Sequence, residues 1–267
     1  MNKNLALFDQ YAGSSPVLIS VPHAGVGLPQ ALKERMTDCA RMLPDTDWHV
    51  EKLYDFAPEL DVTLIKANLS RYVIDLNRDP SGESLYPGAS VTELCPLTTF
   101  DNQSIYKQGQ EPDLAEIRER IFYYHQPYHA LLKAEIERIR SLHGFCIVFE
   151  AHSIRSRVSR FFEGQLPDLN WGSNDGVTCS AKITQALESY FHLASTRFSS
   201  VTNGRFKGGF ITRNYGRPIE GIHGVQLEIA QCAYMDERPP YQWDTDLSSE
   251  LKSYLHGLIK TLITLKI

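Results

Sequence analysis

Two short apolar runs limit what this chain can fold into more than any other feature of its sequence. Val17–Val21 reads VLISV and Phe145–Phe149 reads FCIVF. Nearly continuous apolar runs of this length are typical of strands that are covered on both faces. Because segments with helical periodicity separate such runs, strands and helices alternate along the chain. We therefore predict an α/β fold of three layers, in which a mixed sheet carries helices on both faces.

The other elements follow from periodicity and from the residues that begin and end helices. Further strands are predicted at about residues 61–69, 71–77, 192–198 and 225–229, and helices at about residues 31–41, 45–60, 113–143, 177–191 and 247–265. The longest helix starts at a capping pattern formed by Asp113 and Glu116, bends at Pro127 and ends before Gly144. These elements supply the helical layers that the apolar strands require.

Residues 79–110 have no clear period and are rich in Pro, Gly, Ser and Thr. Long irregular segments of compact domains are often functional, and whether this one is a lid stays open. No internal repeat and no convincing domain linker interrupts the chain. A single domain is therefore expected over residues 1–267.

Composition and charge exclude several classes of partner. Hydrophobic residues make up 42% and charged residues 22% of the 267 residues, as in ordinary globular domains. The net charge of −5, without a basic run, argues against nucleic acid. Five cysteines with no Cys-x-x-Cys pair indicate a reducing compartment, and no signal sequence or membrane span is recognisable. We expect a cytoplasmic location and a small-molecule partner, while the oligomeric state stays open.

A histidine follows shortly after each apolar run. These are His23 and His152, and ligands of open α/β sheets bind at the carboxyl ends of the strands. The two side chains are therefore expected to share one metal ion. A catalytic zinc needs a third ligand and an open position; Asp47 is the favoured ligand and Asp45 the alternative. A surface or capping role would explain one such histidine, but two of them beside an Asp-x-Asp pattern favour a metal.

Glu228 is a second candidate for chemistry. It lies in the predicted strand VQLEI among apolar neighbours, where a carboxylate is seldom buried without a partner. One interpretation is a general base with a raised pKa, which takes a proton from metal-activated water. The other is a structural salt bridge to a basic residue. This stretch by itself does not decide between them.

The segment RYVIDLNRD contains donors that suit an anionic group. Arg71, Asn77 and Arg78 present planar N–H groups, which match a carboxylate or a developing oxyanion. The alternative is that these arginines form buried ion pairs with Asp75 or Asp79. Asp75 is expected to serve in that way, as a support of the site.

The motifs of several enzyme classes are missing. The chain has no His-Glu-x-x-His, no Gly-x-Ser-x-Gly, no phosphate loop and no Gly-x-Gly-x-x-Gly. Their absence argues against a gluzincin protease, a serine hydrolase, a nucleotide hydrolase and a dinucleotide enzyme. His125 and His129 have the spacing of a metal pair, but Pro127 lies between them and no third ligand is near in sequence. We expect them to be structural or to support the site.

Seven segments together resemble those of the N-formylglutamate amidohydrolases. They are VPHAG, DTDW, RYVIDLNRDP, the His-Ser pair after the second apolar run, NYGRP, HGVQLEI and YMDE. The resemblance extends from about Val17 to about Glu237. RYVIDLNRDP is specific, VPHAG alone is weak, and the shared order of the segments makes the match strong.

The resemblance implies a fold similar to that of zinc carboxypeptidases and succinylglutamate desuccinylase, the phosphorylase/hydrolase-like α/β fold. It also implies roles for four side chains. Asn77 and Arg78 would bind the α-carboxylate of a substrate, Arg71 would polarise the scissile carbonyl, and Glu228 would be the base.

The resemblance further implies one zinc ion, bound by His23 and His152. The carboxypeptidase pattern His-x-x-Glu would require a glutamate at position 26, where this chain has Val26. The acidic ligand must then come from elsewhere, which again favours Asp47, with Asp45 not excluded.

The expected function is zinc-dependent hydrolysis of N-formyl-L-glutamate to formate and L-glutamate, in histidine degradation. The substrate is a dianion and the chain is acidic overall, so recognition must rest on local arginines. Arg155 and Arg213 are the candidates for binding the γ-carboxylate. One alternative is a related zinc amidase or carboxypeptidase for another N-acyl amino acid. Another is a non-catalytic carboxylate-binding protein on the same fold.

Overall fold

The computed structural model describes residues 6–83, 91–194 and 197–267. Within these ranges, seven strands form one sheet in the order β1-β3-β2-β4-β7-β5-β6. The strands are β1 (Phe8–Tyr11), β2 (Val17–Val21), β3 (Thr63–Ala67), β4 (Cys146–Ile154), β5 (Leu169–Gly172), β6 (Ser200–Thr202) and β7 (Ile222–Ala230). The central strands β3, β2, β4 and β7 are parallel, whereas β1 and β5 pair antiparallel with their inner neighbours. The predicted mixed sheet is confirmed.

Helices cover both faces of this sheet. They are α1 (Gln30–Arg35), α2 (Asp38–Arg41), α3 (Val50–Leu53), α4 (Leu114–Arg120), α5 (Gln126–His143), α6 (Ala181–Ala194), α7 (Phe210–Tyr215) and α8 (Thr245–Ile263), with a π-helical turn at Ile121–His125. Helices α3, α6 and α8 contribute to the core on one face, and α5 and α7 to the core on the other. The three-layer prediction is therefore confirmed. No helix in the described ranges is both long and apolar enough to cross a membrane.

The buried strands have side chains in both cores. In β4, Ile147 and Phe149 pack in the core of α3, α6 and α8, whereas Val148 packs in the core of α5. Successive side chains of a strand alternate between its faces, so Glu150 and His152 follow Val148 on the α5 side. Two ionisable side chains are thereby placed inside a fully buried strand.

The predicted strand at 71–77 is wrong, because this segment folds into turns. Val73 donates a backbone hydrogen bond to Ser70, and the Asp75 carboxylate accepts the backbone N–H of Asn77 at 2.8 Å. Such short-range bonds compete with a strand ladder. The apolar residues of the segment pack into two separate clusters rather than onto one face of a sheet.

Three other predicted elements are also corrected. The helix at 31–41 is two helices, because the Thr37 side chain accepts the Ala40 N–H and begins α2. The helix at 45–60 is reduced to α3, since His49 has a φ of 62° and interrupts helical geometry. The strand predicted at 192–198 is wrong for its described residues, because α6 continues to Ala194 and the next strand is β6, while residues 195 and 196 lie outside the described ranges.

The start and end of the long helical segment match the prediction. Asp113 accepts the Glu116 N–H at 2.8 Å, and Gly144 ends α5 with a φ of 79°. Before Pro127 the backbone forms the π-helical turn, in which the Gln126 N–H donates to Ile121. A proline displaces the helical bond to the carbonyl four residues earlier, which accounts for the irregularity at this point.

We expect the α5 layer to stabilise the sheet through its buried face. Leu132 is 0% exposed and packs in the core of α5, while Leu142 on the same helix is 59% exposed. Leu132→Ala should lower the free energy of unfolding by about 2–5 kcal/mol, because it removes buried methyl groups and leaves a cavity. Leu142→Ala is the matched control and should change it by less than about 0.5 kcal/mol. Equal effects of the two substitutions in urea unfolding would contradict this packing.

Candidate active site

Three side chains converge at the carboxyl ends of the central strands. His23 follows β2, His152 lies in β4, and Asp47 lies in the turn before α3. The Asp47 Oδ2 atom is 2.9 Å from Nδ1 of His152 and 3.9 Å from Nδ1 of His23. One candidate ligand atom from each residue lies within 4.8 Å of the others, and all three side chains are buried. The structure thus brings together the three residues that the sequence favours as metal ligands.

A second carboxylate contacts the Nε2 atom of each histidine. The Nε2 atom of His23 is 2.7 Å from Asp75, and the Nε2 atom of His152 is 2.7 Å from Glu150. Histidines that bind metals usually engage a carboxylate through the other ring nitrogen, which fixes the ring and its tautomer. In this arrangement both Nδ1 atoms face Asp47. Two imidazoles and one carboxylate suit a catalytic zinc and leave a position for water.

Asp45, the alternative third ligand, has other partners. Its carboxylate accepts the Tyr72 hydroxyl at 2.6 Å and the Phe100 backbone N–H at 2.9 Å. Asp45 thereby connects the segments that contain Tyr72 and Phe100 beside the site. Among the described residues, only Asp47 joins the two histidines in a possible metal-binding group.

The surroundings shift the pKa values of the two histidines in opposite directions. Burial, together with the positive charge of Arg71, lowers the pKa of His23 and favours the neutral imidazole. Burial also disfavours the charged form of His152, but Glu150 and Asp47 outweigh it and raise the pKa of His152 well above its usual range. A metal ligand must be neutral at the coordinating nitrogen. Metal binding here should therefore release a proton from His152.

Glu228 faces the same site from the neighbouring strand. In the β4–β7 pairing, Glu228 lies directly opposite His152, so both side chains project from the same face of the sheet. Burial raises the pKa of Glu228 to about 8. In the described part of the chain, Glu228 forms no ion pair with a lysine or an arginine. The salt-bridge interpretation of this residue therefore finds no support.

Arg71 is fixed between two carboxylates. Its Nη2 is 2.6 Å from Asp75, and its Nη1 is 3.6 Å from Asp47. The guanidinium carbon lies 5.0 Å from the centre of the Phe100 ring. Its Nε is buried without a hydrogen-bond partner among the described residues. These contacts hold the guanidinium in a defined orientation at the wall of a cavity.

Asn77 and Arg78 lie beside the histidines. The Asn77 side-chain oxygen accepts the Ile211 backbone N–H at 2.9 Å, and its amide nitrogen is 3.0 Å from Nε2 of His152. Arg78 donates to the carbonyl and the hydroxyl of Thr92, both at 3.1 Å. These contacts fix the positions of both side chains.

Two histidines support the backbone that carries Asn77 and Arg78. His125 ends the π-helical turn, and His129 lies in α5. Their rings stack with centroids 4.1 Å apart. The Nε2 of His125 lies 3.1 Å from the Arg78 carbonyl oxygen, and that of His129 lies 2.9 Å from the Leu76 carbonyl oxygen. The two histidines thus hold the backbone on both sides of Asn77, in agreement with the supporting role expected for them.

A cavity of about 630 Å³, its open mouth included, joins these groups. Of the residues singled out in the sequence, those lining it are His23, Asp47, Arg71, Asn77, Arg78, His152 and Glu228. Its walls combine a histidine–carboxylate cluster with arginines, an arrangement that can bind a metal ion and an anionic small molecule together.

Arg155 and Arg213 are not among the residues that line this cavity. Arg155 lies 2.9 Å from the Asp101 carboxylate, and Arg213 donates to the Gly208 carbonyl at 2.8 Å. The structure places Arg205 in the cavity wall instead. The sequence did not point to Arg205, because the connection before α7 shows no pattern other than its glycine content.

Comparison with known proteins agrees with this geometry. Residues 15–235 match the family model described as FGase, N-formylglutamate amidohydrolase. The N-formylglutamate deformylase of Pseudomonas putida is 42% identical over 95% of this chain and 94% of its own length. That of Pseudomonas aeruginosa is 42% identical over 94% of each. The crystal structure of N-formylglutamate amidohydrolase from Ralstonia eutropha JMP134 aligns with a TM-score of 0.79 and 25% identity, covering 98% of this chain and all of that one.

Fold and site therefore define an α/β protein with a buried histidine–carboxylate cluster in a small-molecule cavity. The extent of these matches places the chain in a particular group of such proteins. It belongs to the N-formylglutamate amidohydrolase family.

Substitutions in and beside the cluster should weaken metal binding to different extents. The protein dialysed against zinc should retain one ion per chain, and His152→Ala should lose it, because a ligand is removed. Glu150→Gln keeps all three ligands and should weaken zinc binding by about 10–100-fold, as changes in such supporting partners do. His192→Ala, at an exposed position of α6, is the control. Full zinc occupancy of His152→Ala, measured by atomic absorption, would refute the assignment.

Proposed function

We propose that this chain is a zinc-dependent N-formylglutamate deformylase, which hydrolyses N-formyl-L-glutamate to formate and L-glutamate. The observation that carries the proposal is the position of Glu228 opposite His152, beside the His23–Asp47–His152 cluster. The deformylases named above, at 42% identity over nearly their whole length, support the same reaction. The reaction belongs to histidine degradation, as the family resemblance implies.

His23, Asp47 and His152 would hold the zinc ion. When bound, it would act as a Lewis acid on the reacting water and on the formyl oxygen. Glu228 accepts a proton from that water as the oxygen adds to the formyl carbon. The raised pKa of Glu228 makes its carboxylate a stronger proton acceptor once it is ionised. A nearby positive charge, such as that of Arg71, favours the ionised form.

Glu228 then gives the proton to the amide nitrogen as the carbon–nitrogen bond breaks. Formate leaves with the water oxygen, and the amino group of glutamate leaves with the proton, so the atoms balance. Efficient transfer in both directions requires a pKa near the working pH. Burial in β7 supplies that shift, since it penalises the charged carboxylate.

Arg71 stabilises the negative oxygen that develops on the formyl carbon. A donor of this kind is worth roughly 3–4 kcal/mol in the transition state when it is already in place. The two carboxylates that hold Arg71 provide that preorganisation. Asn77 and Arg78 bind the α-carboxylate, and His125 and His129 fix the backbone that carries them.

Simple measurements distinguish the proposed function from its two alternatives. A related amidase or carboxypeptidase for another N-acyl amino acid would prefer acetyl or succinyl glutamate, or a peptide, over the formyl compound. A non-catalytic carboxylate-binding protein would bind glutamate without turnover and would need neither zinc nor Glu228. Glu228 is buried beside the histidine–carboxylate cluster and forms no ion pair with a lysine or an arginine of the described ranges, which favours catalysis over binding alone.

Glu228→Gln tests the proposed base. The amide is isosteric with the carboxylic acid but cannot accept the proton, so kcat for N-formyl-L-glutamate should fall by about 10²–10⁴-fold. Zinc content and KM should stay close to those of the unmodified enzyme. Glu220→Gln, at an exposed position shortly before β7, is the control and should keep full activity. Turnover within threefold of normal in Glu228→Gln would remove Glu228 as the base.

A further inference from the structure

The cavity contains a third arginine whose role follows from the proposed function, on which this inference rests. N-formyl-L-glutamate carries two carboxylates, and Asn77 and Arg78 account for one of them. Arg71 already lies between Asp47 and Asp75, so its position suits the formyl oxygen near the cluster. Arg205 is the remaining arginine among the described residues that line the cavity.

The guanidinium of Arg205 is held in a defined orientation. Its Nε donates to the Phe161 carbonyl at 2.7 Å. Its central carbon lies 5.9 Å from the Phe161 ring centre and 5.5 Å from that of Phe206, and both phenylalanines line the same cavity. Contact with aromatic rings restricts a guanidinium, and its planar edge matches a carboxylate. An arginine held in this way loses little side-chain entropy on binding an anion.

The segment that carries Arg205 packs against Asn77, which is proposed to bind the α-carboxylate. The Gly209 N–H donates to the Gln226 side chain at 2.7 Å. A Cβ atom on Gly209 would collide with the Asn77 side-chain amide, so only glycine permits this approach. The connection before α7 is therefore fixed relative to Asn77. A fixed separation between two anion anchors selects the distance between the two carboxylates of the ligand.

We propose that Arg205 is the specificity-determining residue that selects an acidic side chain on the N-formyl amino acid. It binds the γ-carboxylate, while Asn77 and Arg78 bind the α-carboxylate. The enzyme then discriminates N-formyl-L-glutamate from N-formyl-L-glutamine, which has the same shape and lacks the second charge. Arg205 replaces Arg155 and Arg213 as the second anchor.

The test compares these two substrates with zinc-loaded protein. The unmodified enzyme should prefer the glutamate compound by about 100-fold in kcat/KM, the loss expected when a desolvated charge loses its partner. Arg205→Met should lower kcat/KM for N-formyl-L-glutamate by about 100-fold, mainly through KM, and change that for N-formyl-L-glutamine less than about threefold. Arg205→Lys should recover part of the preference, because it restores the charge without the planar edge.

Arg155→Met and Arg213→Met are the matched controls and should keep the preference. Each variant is first compared with the unmodified protein by circular dichroism, thermal unfolding and zinc content. An unchanged preference in Arg205→Met, or its loss in either control variant, would overturn the assignment.

Calorimetric binding of the product separates this inference from the proposed function. The unmodified zinc protein should bind L-glutamate more tightly than L-glutamine, and Arg205→Met should bind both with similar affinity. This result without any turnover would support Arg205 while refuting the deformylase proposal. Equal binding of both compounds by the unmodified protein would refute the role of Arg205 even in an active enzyme.

Discussion

The structure depends on the contact between Asp47 and His152, which joins the turn before α3 to the central strand β4. Both residues are buried, and His152 also faces Glu150, so several charges share a region without solvent. Burying charge is costly, and removing one member of a buried pair typically costs about 3–5 kcal/mol. The cluster persists because each carboxylate has a defined partner. A dication at its centre would reduce the repulsion between the carboxylates and would release a proton from His152.

The rest of the site is organised around this cluster by the sheet. Strands β4 and β7 are parallel neighbours in register, so His152 and Glu228 face the cavity side by side. The turns after β3 bring Arg71 and Asn77 to the same cavity. Contacts of His125 with the Arg78 carbonyl and of His129 with the Leu76 carbonyl fix the backbone on both sides of Asn77. Acidic and imidazole groups, together with Arg71, therefore lie where bond cleavage is proposed, and Arg78 and Arg205 lie where carboxylates are proposed to bind. This division explains how a chain of net charge −5 can present a site for a dianion.

Much of the site was predictable because its residues break the pattern around them. His23 and His152 end apolar runs, and Glu228 interrupts one, which is unusual enough to indicate function. The 71–77 segment misled because its apolar residues resemble a strand, whereas Tyr72 and Val73 pack into a different cluster from Ile74 and Leu76. Arg205 was missed for another reason. It reaches the cavity through a glycine-rich connection, and only the tertiary contact of Gly209 with Asn77 reveals where that connection lies.

We propose that one zinc ion binds between Asp47 and the two histidines, within reach of Glu228. Anomalous diffraction at the zinc absorption edge, from crystals of the zinc-loaded and active protein, tests it most directly. We expect one strong peak per chain, in contact with the Nδ1 atoms of His23 and His152 and with the Asp47 carboxylate. A peak at another position, or none at this one in crystals of fully active protein, would contradict it.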